Sequence, residues 1–180
     1  FGEEGVLFWG ERNTNLFFNS KKLIPENVKA QMKIISGWAG LEKDLVCGKI
    51  INETILNELA VSYSKGCFLG QETVSKIQNN RGASYYPVII KITKSQVANK
   101  IEAYQNKSFN VLNKKAGVFI SSTSFEGDTL ILVNLYRELR IEGRHIQVSF
   151  DDGSSMEGKV HFLPFFKDKT IKEKADAVYF

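Results

Sequence analysis

The second half of this chain narrows its choice of fold more than any other feature. Five short runs recur there: Tyr86-Pro87-Val88-Ile89-Ile90-Lys91-Ile92, Gly117-Val118-Phe119-Ile120-Ser121, Leu130-Ile131-Leu132-Val133-Asn134-Leu135, Ile146-Gln147-Val148-Ser149-Phe150 and Lys159-Val160-His161-Phe162-Leu163. They are rich in β-branched and aromatic side chains, which suit a pleated and half-buried surface. Asp152-Gly153, between the last two runs, is a hairpin signal. Short strands separated by regular turns predict a small barrel. Ser95 to Tyr104 reads as a short helix within this region.

The first half is mixed. Val6 to Gly10 and Asn15 to Phe18 read as two short strands around a polar turn. Pro25-Glu26 opens a helix, with Val28, Met32 and Ile35 at helical spacing and Gly37 placed to end it. Asn52 and Thr54 are turn or cap residues ahead of Ile55-Leu56, and Val61-Ser62-Tyr63-Ser64 alternates like a strand. Gln71 to Asn79 reads as a helix with Val74 and Ile77 on one face and a Glu72/Lys76 pair on its surface. Asn79-Asn80-Arg81-Gly82 stops it. Composition changes at Ala83-Ser84, which sets the boundary between residues 1–83 and a barrel over 84–166, with 167–180 as a charged tail that becomes apolar at its end. The expected class is α+β.

With 180 residues, 43% of them hydrophobic, the chain can bury a core for one or two small domains. It has no apolar run of about 18 residues, the length that argues a membrane span, and no charged-then-apolar leader, although Phe1 at the start reads as a trimmed end. Two cysteines, Cys47 and Cys67, make no disulfide framework, so a reducing, cytoplasmic compartment is expected. A net charge of +4 fits ordinary surface solvation, and no Arg-rich or aromatic-interleaved stripe accompanies it; direct nucleic-acid binding is not expected. His145 and His161 stand far from either cysteine at no zinc-site spacing, so no metal is expected. P-loop, Gly-x-Ser-x-Gly and His-Glu-x-x-His patterns are absent. Trp9, Trp38 and Cys47 read as structural.

The chemistry concentrates in Lys65-Gly66-Cys67-Phe68-Leu69-Gly70-Gln71-Glu72. A thiol near an ammonium and a helix N-terminus is favoured as thiolate. The glycines point to a backbone that turns sharply or lies close to something else. On residue type alone Cys67 fits either a reactive thiol or a small buried hydrophobe. Lys65 is either a solvated charge or the thiolate's partner. Gln71 and Glu72 either serve the N–H groups of the helix's first turn or face a ligand, and Arg81 either pairs with a carboxylate or approaches an anion.

This block closely resembles the Lys-Gly-Cys-(Tyr/Phe)-x-Gly-Gln-Glu signature of the YgfZ family, folate-binding-fold proteins related to the aminomethyltransferase of glycine cleavage. Arg81-Gly82-Ala83, Ala116 to Ser122, Leu130 to Leu139 and Asn57 to Tyr63 are similar to the family's flanking segments. The resemblance implies the back half of a folate-binding domain over residues 1–83, followed by an aminomethyltransferase-like barrel, with the front half of the pocket missing. It implies an accessory factor that supports iron–sulfur enzymes, such as tRNA-modifying ones, with iron–sulfur proteins or assembly factors as partners and tetrahydrofolate as cofactor. Cys67 and Lys65 would be its reactive pair, and Gly66, Gly70, Gln71, Glu72 and Arg81 would contact the cofactor. The alternatives are an aminomethyltransferase-like tetrahydrofolate enzyme, whose relatives carry Asp where this chain has Cys67, and a degenerate binding module. One departure stands out. Where the family carries Arg-(hydrophobic)-Glu-x-Gly, this chain reads Lys33-Ile34-Ile35-Ser36-Gly37, and Ile35 cannot accept the N–H bonds of a pterin edge. The chain by itself is therefore expected to bind tetrahydrofolate weakly or not at all.

Overall fold

The strand-forming residues of the second half pair into one antiparallel sheet that closes on itself. The computed structural model describes residues 25–36, 49–93, 101–163 and 165. Within it, β1 (Tyr85–Ile92), β2 (Ser108–Val111), β3 (Lys114–Phe125), β4 (Asp128–Tyr136), β5 (His145–Ser149) and β6 (Ser155–His161) run around a barrel in the order β1-β4-β3-β2-β5-β6. Register is set by long ladders between β1 and β4 (Tyr85 opposite Tyr136 through Ile92 opposite Thr129) and between β3 and β4. The ring closes where Ile89 to Lys91 meet Lys159 to His161.

The uninterrupted apolar runs of β1 and β4 are explained by burial on both faces. Side chains alternate with a period of two along a strand. Val88, Ile90 and Ile92 of β1 and Ile131, Val133 and Leu135 of β4 point into the barrel, where they meet Phe109, Phe119, Val148 and Phe150. Ile89, Leu130 and Leu132 point outward and form a second cluster with Ile34 and Ile55. The same alternation along β3 puts Phe119 inside and Ile120 outside, and a register shift between Phe119 and Ser121 interrupts its ladder with β4.

The helices lie outside the barrel. α1 (Glu26–Ser36) docks on β3 and β4, with Ile34 its most buried side chain and Ile35 partly buried against the outer cluster. The buried anchor is thus Ile34, off the stripe of Val28, Met32 and Ile35 that the spacing predicts. A 3-10 turn at Ile51–Glu53 leads into α2 (Leu56–Leu59), and α3 (Gln71–Asn80) precedes the barrel.

Three expectations are corrected. Val61 to Ser64 forms no strand, because no described strand lies beside it to complete a ladder and the Tyr63 hydroxyl is drawn into a side-chain network instead. Of the helix expected over Ser95 to Tyr104, Ile101–Tyr104 form a 3-10 turn, and residues 95–100 lie outside the described residues. Glu72 and Lys76 form no ion pair with each other. The expected strands before Pro25, together with Trp9, Gly37, Trp38, Cys47 and the tail from 167, lie outside the described residues. No helix among the described residues is long and apolar enough to cross a membrane.

Candidate functional site

The loop from Val61 to Gly70 carries the thiol, and its ends are fixed by different means. At its start the Tyr63 hydroxyl donates to Asn57 Oδ1 at 2.5 Å. Asn52, only 2% exposed, directs its Nδ2 toward Asn57 Oδ1 (3.2 Å), the Tyr63 hydroxyl (3.3 Å) and the Val74 carbonyl of α3 (3.1 Å). Two amide hydrogens are shared among those three acceptors. Asn57 Nδ2 donates to Gln78 Oε1 at 3.1 Å, which ties α2 to α3 as well. These buried amides therefore pin the start of the loop to the helix that follows it.

At its far end the loop enters α3 through Gly70, whose φ of 84° and ψ of 3° place it in the left-handed region. That conformation costs an L side chain about 1–2 kcal/mol, so glycine is required there by backbone shape. Gln71 N–H donates to the Phe68 carbonyl (3.1 Å), and Gln71 Oε1 accepts from the Phe68 N–H (3.3 Å). The Gln71 side chain is thus spent on closing the turn. Glu72 is exposed in the first turn of α3, where its charge suits the positive end of the helix dipole.

Between these anchors Cys67 is an exposed, free thiol. Lys65 is exposed and forms no ion pair among the described residues. Gly66 lies outside the left-handed region, and a Cβ built on it would meet nothing within 4 Å. The fold does not need glycine at this position. Phe68 is 38% exposed and Leu69 fully so, which places an apolar lip beside the sulfur.

Arg81 belongs to a different place. It caps the C-terminal end of α3, so the ten-residue helix separates it from the Gly70 end by about 15 Å. There it lines a cleft of about 500 Å³ with Lys76, Glu53, Ser84 and Arg137. The candidate residues thus fall into two groups: Lys65, Gly66, Cys67, Gly70, Gln71 and Glu72 at one end of α3, and Arg81 at the other. Ile35 packs against the apolar outer cluster. Among the described residues no group of three or more His, Cys, Asp or Glu side chains is placed to hold a metal ion.

Sequence reasoning did not reach the Asn52, Asn57 and Tyr63 network or the partnership of Arg81 with Arg137. Asparagines near a turn read as caps, and their burial was the signal that the chain alone does not carry.

Neither a protein-family model nor a curated protein sequence matches this chain. Among solved structures it is similar to the glycine cleavage system aminomethyltransferase T from Bartonella henselae, at 15% identity and a TM-score of 0.55. The similarity covers 75% of this chain and 37% of that one, so the chain spans little more than a third of that protein's length. The fold of these residues is thereby that of part of an aminomethyltransferase T.

Proposed function

We propose that this protein is a YgfZ-like accessory factor for iron–sulfur enzymes, and that it acts through the Cys67 thiol. The observation that carries this reading is the exposure of Cys67 at the middle of a loop pinned at both ends. A cysteine serving only as a small hydrophobe would be buried. Among the described residues Lys65 has no carboxylate partner to compete with a thiolate, and Gly66 leaves the backbone beside the sulfur open to close approach. A single thiolate supplies one of the four ligands a cluster typically needs. In this reading the partner protein or a small thiol supplies the others, or the Cys67 thiolate attacks the outer sulfur of a partner's persulfide, breaking the partner's S–S bond, so that Cys67 becomes the persulfide and the partner leaves as thiolate.

The test is complementation of a strain lacking its YgfZ-type protein, read as iron–sulfur enzyme activity. Cys67→Ala should fold with unchanged stability, since exposed substitutions usually stay within about 0.5 kcal/mol, and should fail to rescue. Full rescue by a stably folded alanine variant would refute the role of the thiol.

The fold likeness favours a second reading, an aminomethyltransferase-like enzyme acting on tetrahydrofolate. It requires saturable tetrahydrofolate binding and turnover that survives Cys67→Ala, and both are measurable by calorimetry and a folate product assay.

A further inference from the structure

The cleft at the C-terminal end of α3 gathers positive charge that the described residues leave unbalanced. Lys76, Arg81 and Arg137 line it against one acid, Glu53, which leaves two charges in excess. Lys76 and Arg81 form no ion pair among the described residues. Arg137 is held in the wall by its own backbone N–H to the Ser84 carbonyl (2.8 Å) and by Nη2 to Ser84 Oγ (2.9 Å), while its Nε is buried without an acceptor. Behind it Arg140 donates to the Ala83 carbonyl at 2.7 Å. Burial, and then the charge of Arg137, push the Arg140 guanidinium below its usual pKa range. Glu58, which accepts from the Tyr86 hydroxyl at 2.8 Å, does not line the cleft. The end of α3 opposes an anion with only about half a negative charge, which the excess outweighs.

We propose that this cleft binds a small molecule bearing a dianionic phosphoryl group, such as a phosphate monoester. A dianion matches the excess of two charges. Arginine forks suit the oxygen geometry of phosphate, and a guanidinium already tethered to Ser84 loses little freedom on binding. A cleft of about 500 Å³ also leaves room for the organic body of an ester. The inference does not rest on the thiol reading, because Cys67 lies at the other end of α3.

The test is a titration of the ¹⁵N-labelled chain with phenyl phosphate at low salt, followed by amide shifts. Saturable shifts confined to the amides of Lys76 to Ser84 and of Arg137 are expected, with a dissociation constant on the order of 1 mM or below. Replacing both Lys76 and Arg81 by Ala should weaken binding about tenfold or more, since charge-assisted bonds to phosphate are the strong ones. Glu53→Gln, which removes the opposing charge, should tighten it by roughly two- to fivefold. Cys67→Ala should leave it unchanged. Dimethyl phosphate, a monoanionic diester, should bind roughly fivefold more weakly. Absence of saturation by about 20 mM, a regime beyond millimolar affinity, would overturn the proposal. So would binding indifferent to the Lys76 and Arg81 replacements, or a short single-stranded RNA that saturates the same amides where phenyl phosphate does not.

Discussion

Gly117→Ala is expected to be among the most damaging single-methyl additions to this protein. Gly117 sits in β3 opposite Phe109 of β2 and Leu135 of β4. A Cβ there would lie 2.3 Å from the Asn134 carbonyl oxygen, 2.6 Å from Phe109 Cζ and 2.9 Å from Phe109 Cε1. The Phe109 ring is only 1% exposed and stands within the barrel core, so it has little space to retreat. The carbonyl belongs to β4, so β3 and β4 would have to part by most of an ångström, enough to break one or two ladder hydrogen bonds. Overpacking costs about 1–3 kcal/mol and each lost bond about 1 kcal/mol, for a total of roughly 2–5 kcal/mol. At about 2–4 °C per kcal/mol for a chain of this length, the melting temperature should fall by about 4–20 °C. Gly66→Ala is the matched control, because its added methyl would meet nothing within 4 Å. Urea denaturation and thermal melts of both variants give the comparison. A Gly117→Ala loss below about 1 kcal/mol, the centre of the range for ordinary point mutations, would refute the close-approach argument.

Tyr63→Phe removes the hydroxyl that bonds Asn57 and Asn52; it should cost about 1 kcal/mol and speed amide exchange through residues 63–69, while unchanged exchange would disprove the anchoring. Leu112→Asn should stabilise by roughly 0.5–1.5 kcal/mol, because Leu112 and Asn113 both sit at positive φ (51° and 60°) in the β2–β3 turn, and asparagine tolerates that region where leucine is strained; a lower urea midpoint would contradict it. Asp152 is held down to about 2 by bonds from the Ser154 hydroxyl, the Ser154 N–H and the Tyr104 hydroxyl. A carboxyl lowered in the folded state adds stability that is complete above its unfolded pKa of about 3.9 and is lost as pH falls toward 2. Asp152→Asn should therefore flatten the stability curve over that window in acid-limb denaturation, and an unaltered curve would count against the assignment.

The periodicity of the chain exposed those elements whose neighbours are set by a strong local pattern. β1 and β4 were legible because their apolar runs are long, and α3 because Gly70-Gln71 and Arg81-Gly82 mark its ends. β2 was not, since Ser108–Val111 is four residues long and lies between polar turns. Val61 to Ser64 shows the opposite failure, an alternation with no described partner strand to exploit it. The exposed thiol of Cys67 could be placed on a loop from its glycines, but the amides that hold that loop join residues up to 22 apart, and the cleft unites Arg81 with Arg137 across the domain boundary read from composition. Such associations depend on how the barrel seats the helices, which no local pattern encodes.

Ring closure of the sheet has a consequence for recognition. Each of the six strands has a neighbour on both sides, and β4 is paired along its length to β1 and to β3, so the middle of the sheet offers no free N–H and C=O groups to template another chain. A partner therefore cannot add a strand beside β4, the route by which many extended peptides gain main-chain bonds without regard to side chains. Along that strand any selectivity must come from side-chain surfaces.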